Sequence, residues 1–167
     1  TDKVVAEIKE GADGYRFTLD EAIGEKLYVE LEADDAVTFA NGCVGVNATY
    51  EGTDYWVVYQ WDIAGSETVT INMAKPSQVS YDNGTEEVAD TDMIAAIAAE
   101  AMKQNTGLVQ MWWTNDGSGE QIDNSNVVPV NVYILKEQGE TTTATTTETS
   151  EDETTTTTVT TTVSSGE

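Results

Sequence analysis

The chain has 167 residues, with 31 acids, seven bases and no histidine, for a net charge of −24. Such a field repels nucleic-acid phosphates and anionic membranes, excludes both as expected partners, and argues against polyanionic glycans. Every apolar run is too short for a transmembrane helix, and the single cysteine, Cys43, leaves no internal disulfide.

Val4, Val5 and Ile8 predict a first strand, closed by an Ala-Asp-Gly turn at 12–14, and residues 15–19 predict a second. Over 26–32, Leu27, Val29 and Leu31 alternate with Tyr28, Glu30 and Glu32, the pattern of a half-buried strand. Residues 37–39 lead through Asn41-Gly42 into a strand over 43–50, in which Cys43 reads as a small apolar core residue. A turn at 51–54 precedes a strand over 55–63. Val69, Ile71 and Met73 then alternate with Thr68, Thr70 and Asn72, and Pro76 and Asp82-Asn83-Gly84 predict a loop.

The one helix signal lies at 90–105. Asp90, Thr91 or Asp92 can cap it, and Asn105-Thr106-Gly107 ends it. Ile94, Ile97, Ala98 and Ala101 fall on one stripe, so it is expected to pack against a sheet. Strands over 108–114 and 127–135 follow, separated by a polar loop. Short strands spaced by turn residues predict an all-β sandwich of jelly-roll topology.

From Glu140 onward, 15 of 28 residues are Thr, interspersed with acids and lacking any aromatic. This composition cannot bury enough apolar surface to offset its ordering entropy, so 140–167 is predicted to be a disordered linker and 1–139 the folded domain. Without the tail, the domain still carries 25 acids against seven bases. The abrupt start at Thr1 and the end within the Thr tract suggest a module cut from a longer protein.

All four tryptophans lie in two strand-like strings, Tyr-Trp-Val-Val-Tyr-Gln-Trp at 55–61 and Gln-Met-Trp-Trp at 110–113. Trp offers a flat apolar face with a polar edge, suited to stacking on the C–H face of a sugar ring. Side chains alternate along a strand, so Gln110, Trp112 and Thr114 share one face while Met111 and Trp113 share the core face. Trp56 and Trp61 are five apart, and regular alternation sets them on opposite faces unless a bulge re-aims one. The reading is a non-catalytic carbohydrate-binding domain.

Two tryptophans five apart, followed about fifty residues later by a Gln-x-Trp strand, resemble the family 65 carbohydrate-binding modules. Related β-glucan-binding modules of rumen cellulose-degrading bacteria look similar. The resemblance covers roughly 40–115. It implies a jelly roll that binds β-1,4-glucans, xyloglucan among them, through tryptophans and glutamines. Trp56, Trp61, Gln110 and Trp112 match that pattern. Thr114 stands where the family carries a second glutamine. The expected site is therefore Trp56, Trp61, Gln110, Trp112 and Thr114, and the expected partner a neutral β-glucan bound by a monomeric module. Three ring platforms and a few hydrogen bonds predict weak binding, ~5–7 kcal/mol or a Kd of roughly 10 μM to 0.2 mM.

Two other readings use the same residues differently. A glycoside hydrolase needs two carboxylates flanking a bond. Glu30 and Glu32 share a face but read as a solvated edge. A cohesin-like interaction domain of a cellulosome scaffold is the alternative, though no dockerin-type calcium loop is present. No cofactor is expected. The oxygen-rich stretches at Asp34-Asp35, Asp82-Asn83 and 116–123 could hold structural Ca²⁺, but their spacing is not diagnostic.

Overall fold

A computed structural model describes residues 1–12, 14–33, 40–63, 67–104, 109–115, 127–137, 141–149 and 154–162. Twelve strands and one helix are present among them: β1 (Asp2–Val5), β2 (Glu7–Gly11), β3 (Gly14–Thr18), β4 (Lys26–Ala33), β5 (Ala40–Tyr50), β6 (Thr53–Ile63), β7 (Glu67–Asn72), β8 (Gln78–Tyr81), α1 (Thr91–Lys103), β9 (Val109–Asn115), β10 (Val127–Lys136), β11 (Thr141–Thr149) and β12 (Thr154–Thr162). The chain divides into two compact units. One is Lys3–Leu135. The other comprises Thr1–Asp2 and the segment from Lys136 onward.

The first unit is an all-β sandwich. Its sheets have the orders β1-β10-β4-β7 and β2-β3-β9-β5-β6-β8. With β2 and β8 set aside, these orders are a jelly roll, in which the chain crosses repeatedly between two four-stranded halves. The inner faces follow the period of two. Leu27, Val29 and Leu31 point inward from β4, and Val44, Val46 and Ala48 from β5. Phe17, Val57, Tyr59, Val109, Met111 and Trp113 complete much of the core. The buried Tyr59 hydroxyl donates to the Met73 carbonyl at 2.6 Å, which ties β6 to the chain just past β7 in the opposite sheet. Burial raises the Tyr59 pKa well above that of a free phenol.

α1 begins where the sequence predicts. The Asp90 carboxylate accepts the Met93 amide at 2.9 Å as its N-cap. Ile97, Ala98 and Ala101 are buried, and Ile97 and Ala101 join the core. Gln104, at the C-cap, accepts the Thr49 amide at 3.1 Å and donates to the Thr49 carbonyl at 2.8 Å. The helix is thereby pinned to the end of β5.

Three local expectations change. Val4, Val5 and Ile8 do not share one strand, because the chain crosses between sheets at Ala6, whose amide donates to the Val132 carbonyl at 2.8 Å. Asn41-Gly42, expected to lead into the strand over 43–50, is itself paired strand. Residues 78–81, read as loop between turn signals, form β8 on the edge of the larger sheet. The expected strand over 37–39 and the polar loop after β9 lie outside the described residues.

In the second unit, β11 and β12 pair antiparallel from Thr141↔Thr162 to Thr149↔Thr154, a two-stranded sheet of its own. The composition predicts an unpaired chain here. Both states rest on the same property, the extended preference of β-branched Thr. A lone two-stranded hairpin is marginally stable in water. Amides of 141–149 are therefore expected to exchange far faster than those of β5, as hydrogen exchange would read. Trp113, 0% exposed and tilted against Tyr15 at 6.0 Å, is the largest fully buried side chain. Trp113→Ala is expected to destabilise the sandwich by ~3–5 kcal/mol in denaturant melts.

Candidate functional site

The β5–β6 hairpin positions the candidate site. Glu51 and Gly52 both have positive φ, 50° and 80°, and form the two-residue primed turn that suits twisted strands. From that turn, eleven pairs run without a shift, Tyr50↔Thr53 to Ala40↔Ile63. β9 pairs with the other side of β5, Val46↔Val109 through Ala40↔Asn115. β5 thus lies between the two strands that carry all four tryptophans.

On the outer face of this sheet, Trp56 and Trp112 lean over β5 from either side. Their ring centroids are 6.1 Å apart and their planes differ by 19°. Both rings are partly buried. Gly45 lies beneath Trp56: a Cβ built there would stand 2.1 Å from Cζ2 and 2.5 Å from Cη2 of that ring. One cross-strand row on this face runs Lys9, Arg16, Gln110, Gly45, Val58, Gln78. The next runs Trp112, Cys43, Gln60, and the one after Thr114, Asn41, Asp62. Asn47 stands directly opposite Trp56. Amide, hydroxyl and guanidinium side chains of these rows therefore flank a half-buried aromatic pair on the outer face of the sheet.

Trp61 is not part of this arrangement. It shares its parity with Tyr55, Val57 and Tyr59, so it faces inward and packs against the core at one end of the sheet. The expectation that Trp61 stands with Trp56 and Trp112 is thus corrected: β6 has no bulge, and five residues of regular strand turn the two rings to opposite faces. Its ring lies on Gly42, where an added Cβ would meet Cε2 and Cζ2 at 2.3 Å. Trp61 lines a separate cleft of about 120 Å³ with Tyr59, Gln60, Ile71 and Lys75. Its Nε1, like that of Trp113, is buried with no hydrogen-bond partner.

Gln110, Trp112 and Thr114 do share the outer face, with Met111 and Trp113 buried on the other. Gln60 shares the face of Trp56 by simple alternation along β6, but reading strands singly could not find Arg16, Asn47 or Gly45. They reach the site through register, and their only sequence signal is the two glycines of Asn-Gly-Cys-Val-Gly opposite a Trp-rich strand.

Cys43 is buried, 5% exposed, but does not belong to the sandwich core. It points outward between Trp112 and Gln60. Burial pushes its thiol pKa up to about 11.

Glu30 sits in the middle of the smaller sheet rather than on an edge, since β4 is flanked by β10 and β7. It accepts from Asn131 at 2.6 Å and pairs with Lys3 at 3.4 Å. These contacts, the Asn131 hydrogen bond first, hold its pKa below the usual glutamate value. Lys3 also covers the Tyr133 ring at 3.8 Å, and Tyr133 stacks on Tyr28 at 5.2 Å. This network satisfies itself.

No group of three His, Cys, Asp or Glu side chains able to hold a metal occurs among the described residues. In the 82–83 turn, the Asn83 side-chain oxygen accepts from the Thr85 amide and hydroxyl. Asp34-Asp35 and 116–123 lie outside the described residues. No helix among those residues is long and apolar enough to cross a membrane. No family model matches the sequence, and no curated protein matches it.

The Cys43 thiol is expected to stay protonated and shielded near neutral pH. Native protein at pH 8 should react with a disulfide reagent at least about tenfold more slowly than unfolded protein, because only the thiolate attacks.

Proposed function

We propose that the outer face of the six-stranded sheet binds neutral β-1,4-linked glucan chains without catalysis, and that the domain serves as a targeting module in a secreted multimodular protein. The observation that carries this reading is the Trp56–Trp112 pair, two near-parallel, half-buried rings on the outer sheet face with Gln110, Gln60 and Asn47 beside them in the register. The all-equatorial rings of a β-glucan present flat C–H faces, which stack on indole, and edge hydroxyls, which take and give hydrogen bonds to amides. A net negative domain is no obstacle to an uncharged polymer.

The affinity expected is weak. Each ring adds ~0.5–1.5 kcal/mol beyond area burial, and each well-placed hydrogen bond about 1 kcal/mol. Weak single sites suit a module that acts tethered to an insoluble polymer, where linkage raises the effective concentration. The Thr/Glu tract is the expected tether.

The test is affinity electrophoresis in gels containing xyloglucan, barley β-glucan, glucomannan or xylan, beside a melting curve for each variant. Trp56→Ala and Trp112→Ala are expected to lose retardation while melting like the parent. Trp61→Ala is expected to lower the melting temperature and keep retardation, because its ring packs inward. Gln110→Ala should weaken binding by ~1–3 kcal/mol if it leaves a buried partner unpaired. If neither outward Trp matters on any of these glycans, the carbohydrate reading fails in favour of a protein-interaction sandwich.

A further inference from the structure

We propose that Gly45 is a positioning residue for the aromatic platform: its missing side chain is what lets the Trp56 ring lie flat on the sheet and meet Trp112. The functional half of this inference rests on the glucan-binding reading above.

Nothing in the backbone requires glycine at 45. The positive-φ glycines of the described chain are Gly14, Gly24, Gly52 and Gly84. Gly45 is an ordinary strand residue, paired to Val58 on one side and Gln110 on the other. Glycine in a strand interior is a liability, since it loses more backbone entropy than other residues and packs nothing. A compensating reason is therefore to be sought in its contacts.

The contact is the Trp56 ring. A Cβ at 45 would lie 2.1 Å from Cζ2, 2.5 Å from Cη2 and 2.8 Å from Cε2. A point in the ring plane outside Cζ2 would be about equally far from Cη2 and Cε2, and much farther than from Cζ2. The short distances to all three atoms place the missing Cβ over the face of the six-membered ring. The indole thus rests face-down on the Gly45 backbone.

Register explains how it arrives there. Trp56 stands opposite Asn47, and Gly45 is the diagonal neighbour two residues along β5. A ring leaning on that diagonal moves toward Trp112, which stands opposite Cys43 on the far side of β5. Gly45 is midway between Asn47 and Cys43, so it is the floor over which the two rings converge. Any side chain there lifts the Trp56 ring from the sheet and breaks the near-parallel pair.

The inner face provides an internal contrast. Gly42 holds the Trp61 ring in the same way, but that ring packs against the core. The Trp56 ring is the outer end of a two-torsion side chain on an open face, so it can move without disturbing the sandwich. A Cβ at 45 should therefore disrupt binding rather than folding.

The experiment compares the parent, Gly45→Ala, Trp56→Ala and the double variant by near-UV circular dichroism, melting and titration with cellohexaose. Gly45→Ala is expected to melt no lower than the parent, to lose the dichroism of the Trp56–Trp112 pair, and to bind about tenfold more weakly, the order of one lost stacking contact. With Trp56 already removed, adding Gly45→Ala should change neither dichroism nor affinity, since the cycle isolates the ring–Cβ conflict. Gly45→Ala with parental dichroism and affinity overturns the proposal, as does an equal loss of stability with and without Trp56. If Gly45→Ala folds only when Trp56→Ala is also present, the ring is identified as what excludes the Cβ. If the parent itself binds no β-glucan, the carbohydrate reading fails alone, and the dichroism cycle still decides whether Gly45 sets the ring geometry.

Discussion

The register of the β5–β6 hairpin is the constraint on which the site depends. The Glu51-Gly52 turn sets it, and eleven unbroken pairs carry it to the far end of the sheet. A slip of one residue would exchange every inward side chain of β6 for an outward one. Trp61 would then face solvent and Trp56 the core. Burial of Tyr55, Val57 and Tyr59 on one side forbids that slip, because all three would leave the core together. Hydrophobic burial thus selects which tryptophan is available at the surface, although it acts on the opposite face of the same strand.

The two glycines of β5 extend the same logic to close packing. They are three residues apart and so face opposite ways, Gly42 inward under Trp61 and Gly45 outward under Trp56. One strand seats a large ring on each of its faces. Inside, the result is a filled end of the core next to Trp113, which is paired across Gly42. Outside, it is an indole held low against the sheet. A low, flat ring suits an extended polymer with a flat face better than a ring standing upright.

Much of the sandwich is legible in the sequence because its signals are local. Leu27, Val29 and Leu31 alternate cleanly, Met111 and Trp113 flank an outward Trp112, and Asp90 caps an Ala-rich stripe. The features that are not legible depend on pairing between distant strands. Nothing near residue 6 announces that the chain changes sheets there. Residues 78–81 are too short and too close to turn signals to read as a strand, and they become one by pairing with Trp56 and its neighbours. Family resemblance sets Trp61 beside Trp56 against its own alternation, and alternation prevails. The apolar flanks of Cys43 predict its burial but not its face, since a small residue on the outer side of a sheet can be covered as fully as one within it.

Four indole N–H groups report on this account without any mutation. Titration of the isotope-labelled protein with cellohexaose, followed by the Nε1–H resonances, tests the central claim most directly. The account predicts that the Trp56 and Trp112 signals shift together along one saturating curve, while those of Trp61 and Trp113 stay in place. Shifts confined to Trp61, or no shift in any of the four with xyloglucan oligosaccharides as well, would contradict it.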